Sequence, residues 1–277
     1  MLKNIYLKYI RNTFIFRLLR FHVKLNTKRN KDKIERIFIT GVGRGLGRLL
    51  TIHFAQNGYK VIGTDILPHH DLDEQVKSSL EKFYRFDLRN LMGIPVFVEK
   101  IIAENEKIDV LINNAGILNF KLLDKYNTEE IVEMINVNLT SAIIITRYFL
   151  PAMIKQKFGR IILISSVSAF GGADKLGIYS PTKSGLMLFS DSLAKDFENN
   201  REGNITINSV NPDRINTPEY MKEIPGINLK GLISSSKIFS KILKIINSDV
   251  NGGVFSIFSF GKKWKYFLAC SHRLFQT

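Results

Sequence analysis

At 277 residues the chain is long for one compact domain and short for two full ones, which favours a single α/β domain with extensions. Its 45% hydrophobic and 23% charged residues are typical of globular proteins and exclude wholesale disorder, collagen-like repeats and a polytopic membrane protein. A single cysteine excludes a disulfide framework and a cysteine-rich zinc site, and the five histidines lack metal-ligand spacing. We therefore expect no bound metal.

The net charge of +15 is concentrated near the N-terminus. Residues 1–33 hold ten Lys or Arg against one acid, Asp32, and aromatic residues alternate with these basic ones. No stretch in this extension is apolar and long enough to span a bilayer or to form a signal-peptide core. The pattern favours a segment that lies on an anionic membrane surface, and a partner-binding arm and a solvated extension stay open. Since the excess charge is terminal and no nucleic-acid motif is visible, nucleic acid is not an expected partner.

After residue 33, short apolar runs alternate with longer helical ones. The short runs predict strands at Arg36–Thr40, Lys60–Asp65, Phe83–Asp87, Val110–Asn113, Arg160–Ser166, Thr206–Asn211 and Gly253–Phe260. Helices are predicted at Gly47–Gln56, Leu91–Glu106, Thr128–Lys155, Tyr179–Asn199 and Ile233–Asn247. Such alternation requires crossover connections, so residues 34–277 are expected to form one doubly wound parallel α/β sheet that binds ligands at the carboxyl ends of its strands.

A glycine-rich turn joins the first strand to the first helix. The run Thr40-Gly41-Val42-Gly43-Arg44-Gly45-Leu46-Gly47 places backbone N–H groups at a helix N-terminus, where they suit a pyrophosphate. The common Gly-x-Gly-x-x-Gly spacing fails here, and the glycines that fit are Gly41, Gly45 and Gly47. Asp65 ends the next strand about 20 residues on, where an acid can bind ribose hydroxyls. The pattern predicts a dinucleotide site, with a purely structural turn as the alternative.

The Thr-Gly-x-x-x-Gly-x-Gly pattern resembles the cofactor signature of the short-chain dehydrogenase/reductase family in its single-domain form. Later motifs agree with that family in order: Asp87-Leu88 after the third strand, Asn113-Asn114-Ala115-Gly116 after the fourth, Asn138, Ser166, and the pair in Tyr179-Ser180-Pro181-Thr182-Lys183. The resemblance covers about Arg36 to Thr217. It implies a Rossmann-like fold and an NAD(P)-dependent oxidoreductase that transfers hydride between nicotinamide and a secondary alcohol or ketone.

The resemblance also implies a catalytic set of Asn138, Ser166, Tyr179 and Lys183. Residues four apart share a helix face, so the Lys183 ammonium can lie beside the Tyr179 phenol and favour the phenolate needed for proton exchange with the substrate. Ser166 would donate to the substrate oxygen, and Asn138 would hold a water that connects Lys183 to solvent. A non-catalytic cofactor-binding regulatory or scaffold protein on the same fold is the alternative.

The cofactor-binding positions that the resemblance implies are Thr40, Gly41, Arg44, Gly45, Leu46, Gly47, Asp65, Asp87, Leu88, Asn114, Ala115, Gly116, Tyr179, Lys183, Pro212 and Thr217. Asp65 would repel a 2′-phosphate, whereas a basic residue at the position of Arg44 often accompanies NADP in this family. Because like-charge repulsion is hard for one mobile Arg to offset, NAD is favoured over NADP. The chain departs from the family at Asp213, where a Gly is usual, and we expect the loop to differ in shape there.

Substrate and assembly are less defined by the sequence. Apolar residues within Val167–Ile178 and Glu219–Lys230, a predicted lid, suit an apolar or lipid-like alcohol or ketone, while Lys175, Arg214 and Lys222 suit an anionic one. Relatives usually pair the two long helices Thr128–Lys155 and Tyr179–Asn199 across a dyad, so a homodimer or homotetramer is expected. We expect a cytoplasmic protein, with peripheral attachment to the inner face of a membrane as the hypothesis for residues 1–33.

Overall fold

The computed structural model describes residues 34–199, 203–223 and 231–258. The basic extension at residues 1–33 lies outside the described residues, as does most of the predicted lid.

One parallel sheet organises the described chain. Its strands are β1 Arg36–Thr40, β2 Lys60–Asp65, β3 Lys82–Arg85, β4 Val110–Asn113, β5 Phe158–Ile164, β6 Asn204–Pro212 and β7 Val254–Ile257. They are all parallel and are ordered β3-β2-β1-β4-β5-β6-β7. The chain reverses direction across the sheet between β1 and β4, which opens a crevice at their carboxyl ends.

Helices cover both faces of this sheet. They are α1 Gly45–Gln56, α2 Glu74–Ser79, α3 Ile94–Glu104, α4 Thr128–Ile135, α5 Ser141–Lys155, α6 Tyr179–Asn199, α7 Pro218–Glu223 and α8 Ser235–Ile246. Successive residues of β1 face opposite sides: Ile37 packs in a core with α1 and α8, and Phe38 packs in a second core with α3 and α5. The predicted Rossmann-like, doubly wound parallel fold is confirmed.

Several strand ends were predicted wrongly from the sequence. At these positions polar side chains form turns or helix caps that end the strand earlier than predicted. β3 ends at Arg85, and Asp87 forms a turn in which its Oδ1 accepts the Arg89 N–H at 3.0 Å. β5 ends at Ile164, and Ser166 caps a short 3₁₀ turn. Two short helices, α2 and α7, were not predicted from the sequence; Asp73 and Thr217 cap their first turns.

The stretch Thr128–Lys155 was predicted as one helix but is interrupted by a π-helical turn at Asn136–Thr140. By length and composition it could cross a membrane. In the fold it connects β4 to β5 of the same sheet and buries Ile145, Phe149 and Met153 in the core. We therefore interpret it as a core element.

Candidate active site

A cleft of about 770 Å³ opens at the carboxyl ends of the strands, where the topology places it. The glycine-rich turn forms one wall. The ends of β2, β4 and β5 form the floor, and the residues after β6 close the far side. Most predicted site residues line this cleft; Thr40, Gly47 and Asn138 lie behind its wall.

Two glycines give the turn before α1 its shape. Gly41 has φ +74°, and a Cβ there would lie 2.9 Å from the Ala115 Cα. A Cβ on Gly47 would lie 1.8 Å from the Gly41 carbonyl oxygen, so no larger residue fits. No side chain caps the N-terminus of α1 and no acid lies in its first turn, which leaves the positive end of the helix facing the cleft. This cradle fits the pyrophosphate of a dinucleotide.

Thr40 and Asn114 fasten this turn to the end of β4. The Thr40 Oγ1 accepts the N–H groups of Asn114 and Ala115, both at 3.0 Å. The Asn114 Nδ2 donates to the carbonyls of Thr40 and Gly41 at 3.0 and 3.1 Å. Thr40 is buried, with 1% of its surface exposed, and its hydrogen bonds to Asn114 and Ala115 hold the glycine turn in position.

Asp65 holds the glycine turn from the end of β2. One of its carboxylate oxygens accepts the Gly43 N–H at 2.7 Å and the other accepts the Leu67 N–H at 3.0 Å. A Cβ on Gly43 would lie 2.9 Å from this carboxylate. The acid is therefore fixed beside the place where an adenosine ribose would lie. Arg44 is exposed at the cleft mouth, and its side chain makes no ion pair or hydrogen bond within the described residues.

Asp87 and Leu88 lie on the next part of the cleft wall. The Arg89 guanidinium donates to both Asp87 oxygens, with distances between 2.6 and 3.0 Å, and also pairs with Glu133. This contact lowers the pKa of the Asp87 carboxyl. Asp87 is thus a charged acceptor at the rim of the cleft.

Tyr179 and Lys183 lie on one face of the first turns of α6. The Lys183 Nζ is 5.6 Å from the centre of the Tyr179 ring and donates to the Ile164 carbonyl at 3.0 Å. The lysine side chain is almost fully enclosed, and it has no carboxylate partner among the described residues. Burial lowers the pKa of Lys183 to about 8, because the enclosed site disfavours the ammonium.

Ser166 follows β5 by two residues and lines the same cleft. Its Oγ accepts the Ser168 N–H at 3.2 Å and the Ser168 hydroxyl at 3.1 Å. Because both bonds are accepted, the Ser166 hydroxyl proton can still be donated into the cleft. The adjacent Ser165 instead donates to the Lys183 carbonyl at 2.7 Å and fixes α6 against β5.

Asn138 is fully buried in the π-helical turn and binds the backbone of Ile117. Its Oδ1 accepts the Ile117 N–H at 2.7 Å, and its Nδ2 donates to the Ile117 carbonyl at 2.9 Å. A Cβ on Gly116 would lie 3.2 Å from the Asn138 Oδ1 and 3.3 Å from the Lys183 Nζ. The amide and the ammonium therefore flank the same glycine.

These residues occur in the order expected for the family that the sequence resembles. Comparison with known proteins tests whether the chain belongs to that family. The family model described as short chain dehydrogenase matches residues 35–228. This chain belongs to the short-chain dehydrogenase family. It is accordingly an NAD(P)-dependent oxidoreductase that acts on CH–OH or C=O groups of small molecules.

Individual relatives agree with this membership. The chain is 30% identical over 241 residues to the 3-oxoacyl-[acyl-carrier-protein] reductase FabG of Buchnera aphidicola from Acyrthosiphon pisum, covering 79% of this chain and 97% of the relative. It is 27% identical over 241 residues to an acetoacetyl-CoA reductase of an Acinetobacter species, covering 78% and 96%. Among solved structures, ElxO with bound NADP has a TM-score of 0.71 at 26% identity, covering 81% of this chain and 97% of ElxO.

The loop after β6 contains this short-chain dehydrogenase's departure from the family pattern. Asp213 continues the pairing with β7, since its N–H donates to the Ile257 carbonyl at 2.9 Å, and its φ is not positive. An aspartate therefore fits here without left-handed backbone. Arg214 lines the cleft with its Nε 4.0 Å from the Asp213 carboxylate, and Pro212 and Thr217 also lie on the wall.

Two residues that contribute to the candidate site, Ile117 and Glu219, were not predicted from the sequence. Ile117 contributes only backbone groups to Asn138, so its side chain carries no signal. Glu219 was noted only as the edge of a predicted lid, yet it faces the glycine turn from α7. Of the residues proposed for substrate contact, Leu176, Arg214 and Tyr220 line the cleft. Within the described ranges, no group of three or more His, Cys, Asp or Glu is arranged to hold a metal ion.

Proposed function

We propose that this enzyme interconverts a secondary alcohol and a ketone with Tyr179 as the acid and base, assisted by Lys183, Ser166 and Asn138. The observation that carries the proposal is the enclosed Lys183 ammonium, which lies beside the Tyr179 ring with no carboxylate to neutralise it. Such a charge is costly to bury and is best explained by a role in stabilising a phenolate.

Each residue then has a defined task. NAD(H) supplies or accepts the hydride when bound. In the reducing direction the Tyr179 hydroxyl gives its proton to the substrate oxygen, while the Ser166 hydroxyl donates to that oxygen. The Lys183 ammonium stabilises the resulting phenolate. A water between the Asn138 Oδ1 and the Lys183 Nζ, which flank Gly116, would return the proton from solvent.

The Tyr179→Phe variant tests this proposal. Because only the transferable proton is removed, turnover should fall by at least about a thousandfold while NADH still binds. Assays would use purified full-length protein with NADH and NADPH and a panel of ketones, starting with the 3-oxoacyl thioesters named by the relatives. Tyr59→Phe, outside the cleft, is the matched control. Near wild-type kcat in Tyr179→Phe would refute the assignment.

We further propose NAD as the preferred cofactor. Asp65 is 8% exposed and two backbone N–H groups fix its carboxylate, so the carboxylate cannot easily move away from a 2′-phosphate. The exposed Arg44 is the feature that favours NADP, and ElxO is a relative of known structure with NADP bound. The fixed, enclosed charge of Asp65 acts more strongly on a 2′-phosphate than the solvated charge of Arg44 does, and this supports NAD.

For the assembly we propose a homodimer or homotetramer formed through α4 and α6. These neighbouring helices expose Val132, Ile135 and Leu188, which are 48%, 39% and 51% exposed. Apolar side chains grouped on adjacent helices are typical of an interface. A cytoplasmic location is likewise proposed, and the basic extension at residues 1–33 is proposed to bind the anionic inner face of a membrane.

A further inference from the structure

Glu219 lies against the glycine turn that cradles the pyrophosphate. It belongs to α7, which packs beside the start of α1 and lines the same cleft. Its Oε2 is 4.0 Å from the position that a Cβ on Gly45 would occupy. Gly45 is the first residue of α1, so the carboxylate is placed at the positive end of that helix.

The same oxygen has no hydrogen-bond donor. The Glu219 Oε2 is buried, and no donor lies within hydrogen-bond distance of it among the described residues. No donor among the described residues compensates the charge of this oxygen, so the charge acts on the helix N-terminus beside it. The N-terminal field of α1 is the feature that favours an anion here, and this field is also the one that binds a diphosphate.

We propose that Glu219 is an internal competitor of the cofactor diphosphate, which weakens cofactor affinity and speeds cofactor release; this inference rests on the cofactor site proposed above. The carboxylate and a diphosphate carry like charges and occupy the field of one helix end. The repulsion between them therefore raises the free energy of the complex in which the diphosphate is bound beside the carboxylate. The reaction exchanges the cofactor at every turnover. A lower affinity for the diphosphate therefore shortens the residence time of the used cofactor.

Ligand titrations of the full-length enzyme test the proposal without any turnover. NADH and ADP-ribose both carry the diphosphate, whereas adenosine carries none. In Glu219→Gln, which keeps the shape and removes the charge, the Kd values of NADH and ADP-ribose should fall about tenfold and that of adenosine should not change. Stopped-flow release of NADH should slow in proportion. In 1 M salt the difference from wild type should shrink, because the repulsion is screened.

Glu99→Gln is the matched control, since it removes the same charge from the exposed surface of α3. Glu219→Ala should act in the same direction as Glu219→Gln. Unchanged or weaker NADH binding in both Glu219 variants would overturn the proposal, as would an equal gain for adenosine. If Tyr179→Phe keeps its turnover while Glu219→Gln tightens NADH binding, only the proposed catalytic role fails. If Tyr179→Phe loses its turnover without that tightening, only this inference fails.

Discussion

Lys183 illustrates how a single residue connects folding to chemistry. Its ammonium is enclosed, with the Ile164 carbonyl as a hydrogen-bond acceptor and the Tyr179 ring nearby. Enclosure lowers its pKa to about 8 from the ordinary value of 10.5. Between these two values the unfolded chain binds more protons than the folded one. The free energy of unfolding that Lys183 contributes therefore rises with pH across this window and is lowest below pH 8.

This reasoning predicts the behaviour of Lys183→Met. Relative to this variant, the wild type should gain unfolding free energy as the pH rises from 8 to 10.5, by up to about 3 kcal/mol. Urea unfolding at several pH values measures the difference. The exposed Lys100→Met serves as the control and should give a pH profile parallel to that of the wild type. Parallel profiles for Lys183→Met as well would mean that the lysine pKa is not lowered.

Asp65 is the second single residue with a proposed role, the choice between NAD and NADP. We expect the wild type to bind NADH more tightly than NADPH, and Asp65→Asn to level or reverse this order, because the variant removes the charge but keeps a hydrogen-bond acceptor for Gly43. Calorimetric titration of both cofactors gives the ratio. Asp71→Asn, at an exposed turn, is the control. A wild type that prefers NADPH would contradict the prediction.

At the scale of elements, the π-helical turn separates α4 from α5. A π turn inserts one residue into the helical register, so the faces before and after it differ by about 100°. α5 can then bury its apolar residues against the sheet while Asn138 reaches the backbone of Ile117. On α4, Val132 and Ile135 remain exposed, as does Leu188 on the neighbouring α6.

These exposed residues predict an oligomer that one charge can disrupt. The wild type should have at least a dimer mass in multi-angle light scattering at micromolar concentration. Leu188→Glu should shift it toward a monomer, because a carboxylate buried in an apolar interface is costly. Met92→Glu, at a more exposed apolar position outside α4 and α6, should leave the mass unchanged. A monomeric wild type would contradict the proposed assembly.

Over the whole molecule, the excess positive charge and the proposed catalytic residues lie in different segments of the chain. The proposed catalytic and cofactor-binding residues all follow residue 33 in the sequence, whereas residues 1–33 hold ten of the 40 Lys and Arg residues. If half of these ten engage an anionic surface at about 1 kcal/mol each, the attraction is about 5 kcal/mol. That suffices for reversible attachment.

Deletion of residues 1–33 tests this separation. The truncated protein should no longer sediment with phosphatidylserine vesicles, and its affinity for NADH should stay close to that of the full chain. High salt should weaken attachment of the full chain, because exposed charges are screened. Neutral phosphatidylcholine vesicles are the control. Equal sedimentation of the two proteins would leave the extension as a solvated segment or a partner-binding arm.

The family, the parallel sheet and the order of the candidate site residues could all be predicted from the sequence. Alternating strands and helices require parallel crossovers, and Asp65, Asn114 and Ser166 lie close to strand ends that meet at one edge of the sheet. These features depend on local pattern and on chain order, so a single sequence contains them. The roles of the individual site residues stay predictions that the variants above test.

The sequence did not show which groups are enclosed or which residues they contact, because both depend on tertiary packing. The environment of Lys183, the bonds of Asn138 to Ile117, and the placement of Glu219 beside Gly45 join segments far apart in the chain. Such contacts depend on how helices pack and where they are interrupted, and neither the π-helical turn nor α7 has a strong periodic signal. Burial and charge proximity are properties of that packing, and they set the lysine pKa and the environment of the diphosphate cradle.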